Sequence, residues 1–403
     1  MTSRTQARRS PAREPLLTWP FLRICLCAFI AFIAAFQLFP TIPFRLIDLG
    51  ASRAQAGLFL TVYTWASALS APFTGALADR FGRRRMLVVA AAAFALFSVL
   101  YGVVTPIPLL LVVACLHGFF WSGMLSATGA LITDVIPLAR RTEGIGYYGM
   151  AATAAVAVAP AIGLALYHHG WGALMLELAA LALVLVVMAT FVRERSGAAA
   201  PATAGGETSR PRLREAIDWR VVGSASGLFL VALPYGGITS YAALFADERG
   251  IHPRSLFYTV FAVTVLVTRV VVPRLADLRS PQRLLVQSLL LVPPGLALFG
   301  LAHTRAALVV ASLVFATGFG GAYPTFMTWV LARTDPRHRA ATFGSVLLAF
   351  DTGIGAGSMV VGQLGESIGL GGAFLALAGV SALAVPAFVA TRRLLPLPAD
   401  AVS

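Results

Sequence analysis

The chain has 403 residues, 58% hydrophobic and 12% charged. A soluble globular domain carries about 25% charged residues, so this is an integral membrane protein, and apolar runs too long for strands make it all-helical. The net charge is +14 without a single lysine, and the arginines sit in clusters between apolar runs. That distribution excludes a basic nucleic-acid-binding domain and marks membrane topology instead. Without lysine the phosphate-binding loop Gly-x-x-x-x-Gly-Lys-Ser/Thr is impossible, which argues against ATP as the energy source.

In chain order, residues 1–20 read as a polar, basic cytoplasmic tail. Apolar runs then predict span 1 over 21–46, span 2 over 56–78, span 3 over 86–104 and span 4 over 108–133. Span 5 is expected over 145–167 and span 6 over 172–192. Pro40 and Pro43 should kink the outer end of span 1. The first run is too long for a signal peptide and is read as retained. Residues 193–219 change character to an arginine-bearing, Ala/Gly/Pro-rich linker. Spans 7 to 12 follow at about 220–245, 256–276, 284–302, 306–332, 341–364 and 371–391, with a tail over 392–403. With the N-terminus inside, only Arg45, Arg53, Arg249, Arg254 and Arg305 of the basic residues fall in outer loops. Twelve spans with both termini cytoplasmic therefore fit the positive-inside bias. Cys25, Cys27 and Cys115 lie in apolar runs without metal-ligand spacing and read as packing residues, so no metal site is expected.

The halves repeat. Leu77-Ala78-Asp79 recurs 198 positions later as Leu275-Ala276-Asp277, and the same offset pairs Arg141 with Arg339, Gly146 with Gly344 and Gly123 with Gly321. Two six-helix bundles, 21–192 and 220–391, joined by a cytoplasmic linker, form a parallel repeat.

Between spans 2 and 3 lies Gly75-Ala76-Leu77-Ala78-Asp79-Arg80-Phe81-Gly82-Arg83-Arg84-Arg85-Met86-Leu87. This stretch resembles the loop 2–3 signature of the major facilitator superfamily. The resemblance implies a fold of 12 transmembrane helices as two six-helix bundles around a central cavity. It also implies that Asp79, Arg80, Arg83, Asp134 and Arg141 lock the cytoplasmic mouth while the other side is open, with Asp79 facing the N-terminus of span 11. Gly75 and Gly82 would let helix ends pack closely. Arg84 and Arg85 read as solvated topology charges. In span 5, Pro160 and Gly163 resemble the bend signature of facilitator antiporters, in part only, because the glycines expected upstream are absent.

Charges at membrane depth are expensive and mark function. Arg269 in span 8 and Asp351 in span 11 are the leading candidates for proton or substrate coupling, with Glu177 in span 6 and His117 in span 4 behind them. An arginine that many drug–proton antiporters carry in span 4 is missing here. Phe36, Trp121, Tyr147, Tyr148, Tyr235, Tyr241, Tyr323 and Trp329 are cavity candidates, since apolar cavities with few polar groups suit amphipathic ligands.

The resemblance implies a secondary transporter, not an enzyme, without cofactor or metal. It would export a small organic molecule such as a drug, sugar or metallophore by proton antiport. Its partners would be that substrate, protons and membrane lipid, with no nucleic acid, and it would be a monomer in the plasma (inner) membrane. Uptake of a nutrient is the alternative direction, and a non-transporting receptor or scaffold is the alternative class.

Overall fold

In hydrocarbon each backbone polar group must be satisfied within its own segment, so long apolar runs become helices. The computed structural model describes residues 15–137, 140–193, 217–276, 280–335 and 339–395, without the side chains of 142, 273–276, 339 and 340. The described chain is helical throughout. The first half holds α1 (Trp19–Asp48), α2 (Arg53–Phe81), α3 (Arg83–Val103), α4 (Ile107–Val135), α5 (Arg141–His168) and α6 (Trp171–Thr190). The second holds α7 (Trp219–Ser224), α8 (Ser226–Glu248), α9 (Leu256–Ala276), α10 (Pro281–Gly300), α11 (Arg305–Leu331), α12 (Arg339–Ser367), α13 (Gly369–Ser381) and α14 (Ala384–Thr391).

Among the described residues ten helical stretches are long and apolar enough to cross a membrane, and α2 and α9 complete a twelve-helix plan. The α2 helix has 29 residues but falls short on hydropathy. Its buried residues include Thr61, Thr64, Ser67, Ser70 and Thr74, which face other helices and not lipid. Two spans expected as single helices are divided. A break at Ala225 separates α7 from α8, and residues 382–383 separate α13 from α14. Each break follows a serine whose hydroxyl donates to a carbonyl three residues back, Ser224 to Val221 and Ser381 to Ala378. That bond competes with the helical ladder.

Each half has its own core. In the first, Phe59, Tyr63, Phe94, Tyr101 and Trp121 pack together; in the second, Phe245, Phe257, Phe299, Phe315 and Phe374 do. The repeat shows in one detail. A Cβ on Gly123 would meet Met86 of α3 at 2.0 Å, and one on its repeat partner Gly321 would meet Ser288 of α10 at 2.5 Å. Asp277 and Arg279 lie outside the described residues.

The halves meet where α2 packs on α12, α5 on α9 and α1 on α8. One end of the molecule carries Gly82, Arg140, Arg193 and Arg392 and is called here the arginine end. The other, the far end, carries the turns after α1, α3, α8 and α10. Arg53, at the far-end start of α2, donates to Glu248 of α8 at 2.5 Å and to the Gly365 carbonyl of α12 at 2.7 Å. It accepts at its own carbonyl from Tyr241 at 2.6 Å. Next to it the Ala54 amide donates to Glu366 at 3.0 Å. Deeper, Ser358 donates to the Gly57 carbonyl, Thr61 to that of Gly355 and Trp65 to that of Thr352. These bonds between α2 and α12 fall in the far-end portion of the two helices. Toward the arginine end Leu69, Phe73, Phe81 and Phe343 are exposed. The halves are latched at one end.

Candidate functional site

A narrow cleft lies where the halves face each other. Phe36, Pro40 and Pro160 line it from the first half, and Tyr235, Tyr258 and Phe261 from the second. Tyr235 is stacked on Phe319 with ring centroids 4.1 Å apart. Gly163, one turn beyond Pro160, is required by the helix contact. A Cβ there would lie 2.9 Å from the Gln37 backbone of α1.

Deeper along the boundary are the two charges at membrane depth. Asp351 lies twelve residues into α12, about 18 Å along its axis, and is partly exposed. Arg269 lies thirteen residues into α9, about 20 Å along it, and is exposed. No ion pair within 4 Å joins them. Tyr323 is within electrostatic reach of both, and Tyr63 of the opposite half is within reach of Asp351. The Tyr63 hydroxyl is buried without a hydrogen-bond partner among the described residues. The Arg269 Nη1 sits 3.5 Å from the place a Cβ would take on Gly149 of α5, so this guanidinium reaches the other half.

Glu177 faces α1. It is part-buried against α1, where Gln37 Nε2 donates to its Oε1 at 3.1 Å. The outer atoms of this pair, Gln37 Oε1 and Glu177 Oε2, are buried without partners among the described residues. His117 lies in a second cleft, inside the first half, with Tyr101, Trp121 and Leu178. Its ring is boxed by Phe94 at 4.8 Å, Tyr63 at 5.0 Å and Phe97 at 5.2 Å. Its Nδ1 lies 3.3 Å from the Tyr101 hydroxyl. That is the surrounding of a packed core histidine.

The aromatic candidates divide. Phe36 and Tyr235 line the cleft between the halves, and Tyr323 packs beside Phe350 at 5.1 Å near the two charges. Trp121 lines the inner cleft of the first half, and Tyr148 donates to Thr128 at 3.1 Å within that half. Tyr147 is exposed on α5. Two are not at a cavity. Trp329 is 2% exposed and packs on Phe388 of α14 at 5.0 Å. Tyr241 is fully buried, and its hydroxyl is spent on the Arg53 carbonyl in the far-end seam.

At the arginine end, Arg83 donates to Asp134 at 2.6 Å and to Asp79 at 3.4 Å. The Asp79 side chain is 69% exposed. Arg80 lies over the Phe81 ring at 5.4 Å, and Arg84, Arg85 and Arg141 are exposed. Gly82 has φ of 98°, a conformation other residues rarely adopt, and so ends α2 and begins α3 in one step. Gly75 has nothing within 4 Å of a Cβ position, so no close approach requires it here. Its stretch of α2 lies beyond the portion bonded to α12.

Gln37, Arg53 and Tyr63 escaped the sequence reading. Gln37 carried a usable signal, an amide in the middle of an apolar span. Arg53 looked like an ordinary loop charge, and Tyr63 like any core aromatic.

Comparison with known proteins accords with this geometry. The family model described as Major Facilitator Superfamily matches residues 24–358 and 255–402. The chain is 20% identical over 400 residues to the staphylopine export protein of Staphylococcus aureus, covering 96% of this chain and 99% of that protein. It is 27% identical over 164 residues to the fatty acid resistance protein FarB of Neisseria gonorrhoeae, a match that takes in 40% of this chain and only 32% of that relative. A solved bacterial homologue of the human lysosomal transporter Spinster, inward-facing and unoccupied, superposes with a TM-score of 0.78 at 16% identity, covering 95% of this chain and 98% of that one.

Proposed function

The chain belongs to the Major Facilitator Superfamily, and from that premise we propose that it exports a small organic molecule in exchange for protons. It is a multi-pass membrane transporter and not an enzyme. The observation that carries the antiport reading is Asp351. This carboxyl lies mid-span at the boundary of the halves, without an ion pair to Arg269, and is open enough to exchange a proton. It would take up a proton while the far end is open and release it in the latched state, where substrate binds from the arginine end, so that proton and substrate move in opposite directions. Export is favoured by the similarity over nearly the whole chain to the staphylopine export protein. The cleft between the halves would hold the substrate, its aromatic walls taking the apolar body. The transporter would work as a monomer of two bundles, 21–192 and 220–391, in the inner membrane.

Asp351→Asn is expected to abolish gradient-driven accumulation in vesicles while leaving substrate exchange measurable. Uphill transport by that variant with a normal pH dependence would make Asp351 structural. The arginine end would face the cytoplasm, because arginines resist crossing the bilayer. Reporter fusions after residues 200 and 403 should then both be active only as cytoplasmic reporters. A periplasmic signal from either removes the orientation.

A further inference from the structure

We propose that Arg269 binds a carboxylate of the transported molecule, so that the substrates are organic acids with an apolar or aromatic body. This names the substrate class of the site proposed above and rests on that reading. A guanidinium held within a span must be compensated by an anion, by backbone carbonyls or by water in a cavity. Among the described residues no carboxylate lies within 4 Å of Arg269 and no hydrogen bond engages it. Its charge is therefore left for something that enters.

The surroundings of Arg269 suit an anion. Tyr235 and Tyr323 both lie within its electrostatic reach, and their hydroxyls are donors that can share an oxyanion. Gly149 on the opposite half presents bare backbone to Nη1, which leaves the planar fork of donors open. That fork matches a carboxylate with two parallel hydrogen bonds. Beside it the stacked rings of Tyr235 and Phe319, with Phe261 at 5.6 Å from Tyr235, give a flat apolar wall. The anionic group and the apolar body thus have adjoining places. The exposed Arg80, Arg84 and Arg141 at the arginine end would raise the local concentration of anions at the mouth.

The test uses the purified full chain in detergent and matched probes. Naphthoate and decanoate are each titrated beside their primary amide and their primary amine, and binding is read by calorimetry. The wild type should bind at least one acid about tenfold or more tightly than its amide, the scale of a hydrogen-bonded charge. Arg269→Gln should remove that preference and leave the amide's affinity unchanged. Arg269→Lys should keep part of it, since it retains the charge without the fork. Gly149→Val, which crowds Nη1, should weaken the acid alone. These last two carry the test if Arg269→Gln does not fold. The proposal is overturned if no acid is preferred by the wild type, or if the preference survives Arg269→Gln. Tight binding of amides or amines alone would overturn it while leaving the transport reading in place. Acid preference that depends on Arg269, without counterflow of any probe in proteoliposomes, would keep the anion site and remove the transport reading.

Discussion

Arg83 holds two acids unequally. Its bond to Asp134 is short, and both side chains are largely buried, 13% and 18% exposed. Its contact with Asp79 is at the limit of a hydrogen bond, and Asp79 is mostly in solvent. Removing Arg83 would strand a largely buried carboxylate, which costs about 1–3 kcal/mol. Removing the Asp79 charge would cost little in this state, because exposed pairs contribute under about 1 kcal/mol. The proposed role of Asp79 lies in the other state, where the arginine end closes. Arg83→Ala should therefore lower both the thermal midpoint and transport. Asp79→Asn should lower transport with the midpoint unchanged, and Arg85→Ala should change neither. Midpoint and transport falling together in all three, in step with protein abundance, would reduce these residues to topology charges. The sequence identified these charges because their spacing is local. Which acid Arg83 grips is decided by how α4 ends beside α3, and local spacing does not contain that. The same limit applied to Arg269 and Asp351. Their depth was readable from position along each span, but their separation depends on two helices that never adjoin in sequence.

The helices themselves were legible because hydrocarbon imposes a length and an apolar composition on each one. Long runs such as α4 and α6 follow directly. The polar stripe of α2 lowers its hydropathy, yet it marks the helix that packs on both α4 and α12. The divisions at Ala225 and at 382–383 were not legible, since a serine bonding back to a carbonyl is common in unbroken helices as well. Close crossings were partly legible as glycines. At Gly236 a Cβ would lie 1.8 Å from the Ile354 carbonyl oxygen, and at Gly357 1.8 Å from that of Leu233. These two make the α8–α12 crossing possible, whereas Gly344 has nothing within 4 Å. Sequence alone gives all these glycines the same weight. Only the partner backbone separates the required from the permitted.

For the whole molecule, the latch at the far end is expected to set which conformation is populated. Arg53 joins three elements there, pairing with Glu248 of α8, donating to α12 and accepting from Tyr241. The pair with Glu248 is one-third exposed on each side, so its own contribution is modest. The position matters more than the strength. A two-state equilibrium responds to the free energy by which a contact differs between its states, and these bonds exist only while the far end is closed. If the two states lie within a few kcal/mol, losing about 1–2 kcal/mol at the latch shifts their ratio roughly five- to thirtyfold. Arg53→Ala should therefore favour a molecule open at the far end. Spin labels at positions 169 and 305 report the far end, and labels at 85 and 392 the arginine end; each pair bridges the two halves on exposed residues. The variant should lengthen the first distance and shorten the second, because closing one end accompanies opening the other in alternating access. Transport should fall by a similar factor while binding of substrate persists. Unchanged distance distributions in Arg53→Ala would mean that the deeper bonds of Gly57, Thr61 and Trp65 hold the far end alone. The combined Arg53→Ala, Trp65→Phe variant must then open it, or the seam is not the element that sets the equilibrium.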